Sequence, residues 1–260
     1  MIPKIIHYCW FGGNPKPELA VKCMESWKKY CPDYSYVEWN EDIFDLSTAP
    51  LYVRQAYEAK RWAFVTDYVR LYALYNQGGI YMDTDVEVIH PLDGFLHHSG
   101  FSGFEDDENI PTGIMAAEVG HTLIQKWMKL YDTMRFILDD GSYNIETNVT
   151  TLTHYMSAHG LKLNNTLQTA EDFTFYPKDY FCPKSYMDGK TYLTDNTHTI
   201  HHFSGSWLTE EDRKNIDKER RFQRRVRVPK KILKAVMSED AFNNLKRAFG
   251  RGIEKPQKME

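Results

Sequence analysis

Residues 62–85 constrain the fold more than any other stretch of this 260-residue chain. Trp62 to Gln77 is apolar on nearly every side (Ala63, Phe64, Val65, Val69, Leu71, Ala73, Leu74), which predicts a helix buried almost all round. Gly78-Gly79 stops that helix, and Ile80–Met82 reads as a short apolar strand that delivers Asp83. The flanking segments alternate in the same way, as in an α/β domain. Lys4–Tyr8 and Tyr34–Trp39 read as strands around a helix that Pro17 opens and that runs to about Tyr30. Val86–Ile89 continues beyond the Asp83 strand, and Phe101–Phe104 is another strand, followed by the acidic run Glu105–Glu108. Ile114–Leu138 and Ile145–His159 are expected to contain helices, the first broken near Gly120, with short strands and loops from Leu161 to Trp207.

Asp83-Thr84-Asp85 carries the chemistry. On an extended backbone, residues i and i+2 point the same way, so both carboxylates would project together beyond a buried strand. Two hard oxygen ligands with room for phosphate oxygens suit Mg²⁺ or Mn²⁺. A D-x-D triplet is also what a solvated turn contains, so its neighbours matter. Asp67 and Arg70 share one face of the buried helix, where charges must pair with each other or serve a polar ligand. Trp10 stands just past the first strand, placed either to stack on a base or to pack in the core. His201 and His202 are adjacent on a strand and face opposite ways, so one at most joins a given metal site, and His202 is the expected partner of Asp85. Ser206 and Trp207 follow, placed to close over a donor.

Composition narrows the class. Residues 1–212 carry 16 basic and 30 acidic side chains, whereas residues 213–260 carry 16 basic and 6 acidic. The basic tail flanks apolar positions Ile232, Leu233, Val236, Phe242, Leu245 and Phe249, a pattern shared by a solvated charged helical appendage and by a helix lying on an anionic membrane surface. No nucleic-acid-binding motif accompanies the charge. Cys9, Cys23, Cys31 and Cys182 show no metal or disulfide spacing and read as reduced core thiols. With no signal-like opening and no apolar run long enough to span a bilayer, the expected location is the cytoplasm, with a peripheral position on the inner face of the membrane left open by the basic tail.

The run Ile2-Pro3-Lys4-Ile5-Ile6-His7-Tyr8-Cys9-Trp10-Phe11-Gly12, the pairs Ser26-Trp27 and Trp39-Asn40-Glu41, and the block from Ala63 through Val86 resemble glycosyltransferase family 32. That family includes Och1-like mannosyltransferases and bacterial capsular polysaccharide transferases. The similarity covers residues 2–120 and resumes at His201–Trp207, and it extends distantly to the clostridial glucosylating toxins. It implies a GT-A-type, Rossmann-like nucleotide-sugar-binding domain (1–208) followed by a mostly helical, basic C-terminal appendage (209–260). It also implies a retaining, metal-dependent transfer of a hexose or N-acetylhexosamine from a nucleotide sugar, a UDP-sugar favoured, to a glycan or lipid-linked acceptor in surface or capsular polysaccharide synthesis. By that resemblance Asp67, Arg70, Asp83 and Asp85 are catalytic. Trp10, Tyr81, Asn148, Ser206 and Trp207 bind the donor, and Asp83, Asp85 and His202 hold Mn²⁺ or Mg²⁺. Two departures stand out: Thr147-Asn148-Val149 replaces a common Thr-Gly-Pro, and Gly205 falls near a toxin serine that assists the metal.

The alternative is a phosphohydrolase of the haloacid dehalogenase type, in which Asp83 and Asp85 would be nucleophile and acid, with Asp106-Asp107 or Asp139-Asp140 as a later acidic pair. That class begins with its nucleophile strand, whereas this motif lies some eighty residues in.

Overall fold

The computed structural model describes residues 1–186 and 189–205. Ser206, Trp207, the 208/209 boundary and the basic tail lie outside the described residues. A seven-stranded mixed sheet has the order β2-β1-β3-β6-β5-β8-β7, and a separate two-stranded ribbon pairs β4 with β9. The strands are β1 Ile5–Cys9, β2 Ser35–Trp39, β3 Gly79–Met82, β4 Val86–Val88, β5 Gly100–Gly103, β6 Ile114–Ala117, β7 Gln168–Ala170, β8 Phe173–Tyr176 and β9 Thr199–His201. The helices are α1 Glu18–Tyr30, α2 Leu51–Glu58, α3 Trp62–Gln77, α4 Thr122–Leu130, α5 Asn148–Ala158 and α6 Lys178–Phe181. β2, β1 and β3 run parallel, and β6 pairs antiparallel with β3 and with β5. This is the mixed sheet with flanking helices of a GT-A-type, Rossmann-like fold.

Alternation along β3 builds both cores. Ile80 and Met82 join Ile6, Ile114, Phe101 and Trp27 of α1 on one face, while Tyr81 joins Val65, Val69 and Leu71 of α3 on the other. The α3–β3 junction is the tightest point. Gly78 caps α3 at φ +64°, and Gly79 follows at φ +99°, a region that glycine enters without steric cost. A Cβ on Gly79 would stand 2.6 Å from the Ile5 carbonyl oxygen, so the junction presses onto β1. His7 fixes it there. Trp39 Nε1–H donates to His7 Nδ1 at 3.1 Å, which leaves Nε2–H to donate to the Gly78 carbonyl at 2.8 Å. Burial holds this neutral imidazole down to about 4, although the Gly78 bond opposes the shift.

Three expectations change. Ile114–Ala117 is a buried central strand, not the start of a helix, because Gly120 and His121 separate it from α4. Such a short apolar run is the length at which periodicity cannot tell a strand from a helix. Val86–Val88 does not prolong β3; the chain leaves the main sheet and pairs with β9. Helix α2 was not foreseen. All four cysteines are free and buried. No helix among the described residues is long and apolar enough to cross a membrane.

Candidate active site

Asp83, Thr84 and Asp85 form a turn, not an extended strand end: Val86 N–H donates to the Asp83 carbonyl at 3.0 Å. The turn moves the chain from the main sheet into the β4–β9 ribbon, and it still brings the two carboxylates together. Ligand atoms of Asp83, Asp85 and His201 all lie within 4.8 Å of one another.

His201 therefore stands where His202 was expected. His202 Nε2 faces Glu87 at 2.8 Å, and Lys22 braces the same carboxylate at 3.3 Å. His201 Nε2 lies 3.3 Å from Asp85 Oδ1. The other Asp85 oxygen accepts the Ser204 backbone N–H at 2.7 Å. Burial alone would raise Asp85, but His201 and Ser204 outweigh it and hold the carboxyl well below the usual carboxylate range. Burial also works against charge on His201, and Asp85 reverses that effect, keeping the imidazole well above the usual histidine range.

Behind the turn lies a second charged layer on α3. Arg70 donates to the Thr112 carbonyl at 2.6 Å, the Thr66 carbonyl at 3.1 Å and Asp67 Oδ1 at 3.1 Å, and it stands 3.4 Å from Asp83 Oδ1. Its guanidinium lies over the Tyr81 ring, 4.7 Å from the centroid. The Tyr81 hydroxyl in turn donates to Asp83 at 2.8 Å. Tyr81 is thus spent inside, orienting Asp83 instead of presenting its ring at the surface. Asp67 is 7% exposed. Burial pushes its carboxyl up to about 7, only partly offset by Arg70 and by the Asn148 backbone N–H. Burial outweighs Arg70 at Asp67, and the neighbouring Asp83 charge adds to the upward shift.

Asn148 opens α5, and its side-chain oxygen accepts from Thr112 at 2.9 Å. Its amide nitrogen is buried without a partner among the described residues. Asp67, Arg70, Asp83, Tyr81, Thr112 and Asn148 therefore form one bonded set. Trp10 stands apart from it, half-buried beyond β1, with Lys16 5.5 Å over its ring and its indole N–H on the Asn14 carbonyl. The register His7↔Tyr81 puts Cys9 level with Asp83, so Trp10 belongs to the same sheet edge. Of the acidic residues that the phosphohydrolase reading required, Asp107 is paired with Lys178 and Asp106 is bonded by Asn109.

The sequence reading missed Thr112, Gly113 and Glu105. Thr112 and Gly113 carry no ionisable group, and only the β3–β6 pairing reveals them. Glu105 lay inside an acidic run that reads as a solvated loop.

The residues fit a divalent cation. Two carboxylates and one imidazole within 4.8 Å of one another are a donor set for a divalent metal. His201 Nδ1 is a buried polar atom with no hydrogen-bond partner among the described residues. A Cβ on Gly113 would meet the His201 ring at 2.9 Å and Asp83 Oδ2 at 3.2 Å, so glycine keeps this cradle open.

Residues 17–102 match the family described as "Glycosyltransferase sugar-binding region containing DXD motif". The chain is 33% identical over 130 residues to inositol phosphoceramide mannosyltransferase 3 of Schizosaccharomyces pombe, covering 47% of this chain and 35% of that protein. It is 30% identical over 171 residues to glucan organizing enzyme 1 of Cryptococcus neoformans, covering 51% and 45%. The chain thus spans less than half the length of these curated relatives. Among solved structures it is similar to a glycosyltransferase involved in glycosylation of the major capsid of PBCV-1 (TM-score 0.48, 14% identity, 83% of this chain and 100% of that one). It is also similar to the PaToxG glycosyltransferase (TM-score 0.44, 20% identity, 50% and 60%). The family match takes in Asp83 and Asp85 of the cluster, and over about half of its length the chain is similar to fungal mannosyltransferases.

Proposed function

We propose that the chain transfers a hexose or N-acetylhexosamine, with retention, from a nucleotide sugar to a hydroxyl of a glycan or lipid-linked acceptor. The observation that carries this reading is the convergence of Asp83, Asp85 and His201 in front of the buried Asp67/Arg70 pair. Asp85 and His201 would hold the cation, with Asp83 reaching it beside Arg70. A bound divalent cation supplies charge neutralisation for the departing diphosphate. Arg70 adds a fixed positive charge in a dry site, where such preorganised electrostatics is worth several kcal/mol. Asp67 and the unpartnered Asn148 amide face the sugar as acceptor and donor of hydrogen bonds. Trp10 offers a ring for the base, and Ser206 and Trp207 are assigned to the diphosphate side by resemblance alone.

Retention rests on the resemblance, and the anomeric configuration of the product, read by proton NMR, tests it. UDP-sugars are the favoured donors. The mannosyltransferase names of the fungal relatives make GDP-mannose the comparison to run beside them. Lipid-linked acceptors suit a surface position, for which the support is the +10 balance of residues 213–260. The deciding assay is hydrolysis of UDP- and GDP-sugars with Mn²⁺, with and without EDTA, beside p-nitrophenyl phosphate with Mg²⁺. EDTA-sensitive release of nucleoside diphosphate supports the reading. Phosphate release from p-nitrophenyl phosphate without any donor turnover overturns it.

A further inference from the structure

Glu105 lies across the cluster from the donor-side residues, and the strand pairing fixes the side. Met82 pairs with Ile114, so Asp83 is level with Gly113 on one side of the lead-in to β6. Asp83 N–H donates to the Gly113 carbonyl at 2.8 Å, which confirms that level. On the other side, Gly100 pairs with Ala117 and Phe101 with Ala116, and β5 ends at Gly103, so the loop that carries Glu105 starts on the far side of the lead-in to β6. Asp83 and that loop therefore flank the lead-in to β6. Gly113 between them has no side chain, and His201 occupies the space above it.

Glu105 is half-buried, yet among the described residues its carboxylate has no hydrogen-bond or ion-pair partner. Only its backbone N–H is engaged, by the Asn109 carbonyl. Partly buried carboxylates without partners are costly and call for an explanation. Burial pushes this one up to about 7, with His201 opposing and Asp106 and Asp83 reinforcing the shift. A carboxylate in that state accepts a hydrogen bond readily. The sheet order places it beyond β6, on the side of β3 away from β1, β2 and Trp10.

We infer that Glu105 receives the hydroxyl of the incoming acceptor, aligning its oxygen with the sugar carbon held in front of Asp83 and His201. This rests on the glycosyltransferase reading above. Glu105 binds on the acceptor side, whereas the metal cluster and the α3 pair serve the donor. Water takes the same position when no acceptor is present, so donor hydrolysis reports on it.

The test uses the full chain with MnCl₂, UDP and GDP as binding probes, and UDP-glucose, UDP-galactose and GDP-mannose as substrates. For Glu105→Gln, nucleoside diphosphate affinity and donor KM are expected to stay within about twofold of wild type, while kcat for donor consumption falls at least about tenfold. Glu105→Asp, which keeps the carboxylate one methylene shorter, is expected to recover part of that loss. Unchanged kcat in Glu105→Gln overturns the inference, as does a parallel loss of nucleotide affinity, which would place Glu105 on the donor side. If wild type binds neither nucleotide in the presence of Mn²⁺, the glycosyltransferase reading itself fails.

Discussion

Asp67 and Asp85 are both buried aspartates in one site, yet their environments drive them in opposite directions. Asp85 has two partners devoted to its charged form, the Ser204 backbone N–H and the His201 imidazole. Asp67 has the Asn148 backbone N–H and Arg70, but Arg70 also serves Thr66, Thr112 and Asp83. One carboxyl is held far below the usual range, and the other is raised to about 7. Burial alone therefore does not set ionisation; the charges and donors around each carboxyl decide whether it is outweighed. The ribbon side is built for permanent negative charge, as a cation site requires. The helix side keeps a carboxyl close to its midpoint at neutral pH, which under the proposed function would accept from or donate to a sugar hydroxyl.

The strongest way to break this contrast is Asp85→Asn. Donor hydrolysis is expected to fall by about 10³-fold, together with the metal dependence of nucleotide binding, read by titration with MnCl₂. Retained metal-dependent activity would remove Asp85 from the cation site. Gly113→Ala attacks the cluster without touching a ligand, since its Cβ would crowd His201 and Asp83. Mn²⁺ affinity is expected to drop about 10- to 100-fold. Gly113 does not need a positive φ, so any fall in melting temperature comes from crowding of His201 and Asp83 and not from the backbone.

The adjacent histidines give the next test. His201→Ala is expected to weaken Mn²⁺ binding about tenfold or more. His202→Ala loosens only the Glu87–Lys22 brace and is expected to cost about 1 kcal/mol of stability with Mn²⁺ affinity preserved. A reversed ranking would return His202 to the metal.

The last tests use pH. Because the folded value of Asp67 lies above its unfolded one, its contribution to stability falls as pH rises from about 4 towards 7. Chemical denaturation of Asp67→Asn is therefore expected to gain about 2 kcal/mol relative to wild type between pH 5 and pH 8. A pH-independent difference would show that Arg70 keeps Asp67 fully charged. His7 works the other way: its folded value is lowered to about 4, so the stability it allows is complete above about 6.5 and is lost as pH falls towards 4. Replacing His7 by Gln should flatten that acid limb, at a constant cost from the altered bonds to Trp39 and Gly78.

Much of this was legible beforehand. The boundaries of α3 follow from an apolar surface on all sides and a glycine stop, and both are local properties. The Gly78-Gly79 pair announced a close backbone approach, and Ile5 is what it approaches. The three-residue spacing of Asp67 and Arg70 put them on one helix face before any contact was known. Ile114–Ala117 and Glu105 escaped for the same reason: a four-residue apolar run and a glutamate in an acidic loop look the same wherever the chain goes.

The sequence by itself determined the buried helix, the glycine junction, the strand that delivers Asp83 and the presence of two carboxylates beside it, because periodicity and backbone freedom act over a few residues. The tertiary structure alone decided that the D-x-D motif is a turn between two sheets, that Glu105 lies within electrostatic reach of His201 and Asp83, and that His201 meets Asp85 while His202 meets Glu87. On a strand, neighbouring side chains point to opposite faces, so a one-residue slip in the β4–β9 register would exchange the two histidines. That register is set by pairing between residues more than a hundred positions apart, which no local pattern encodes.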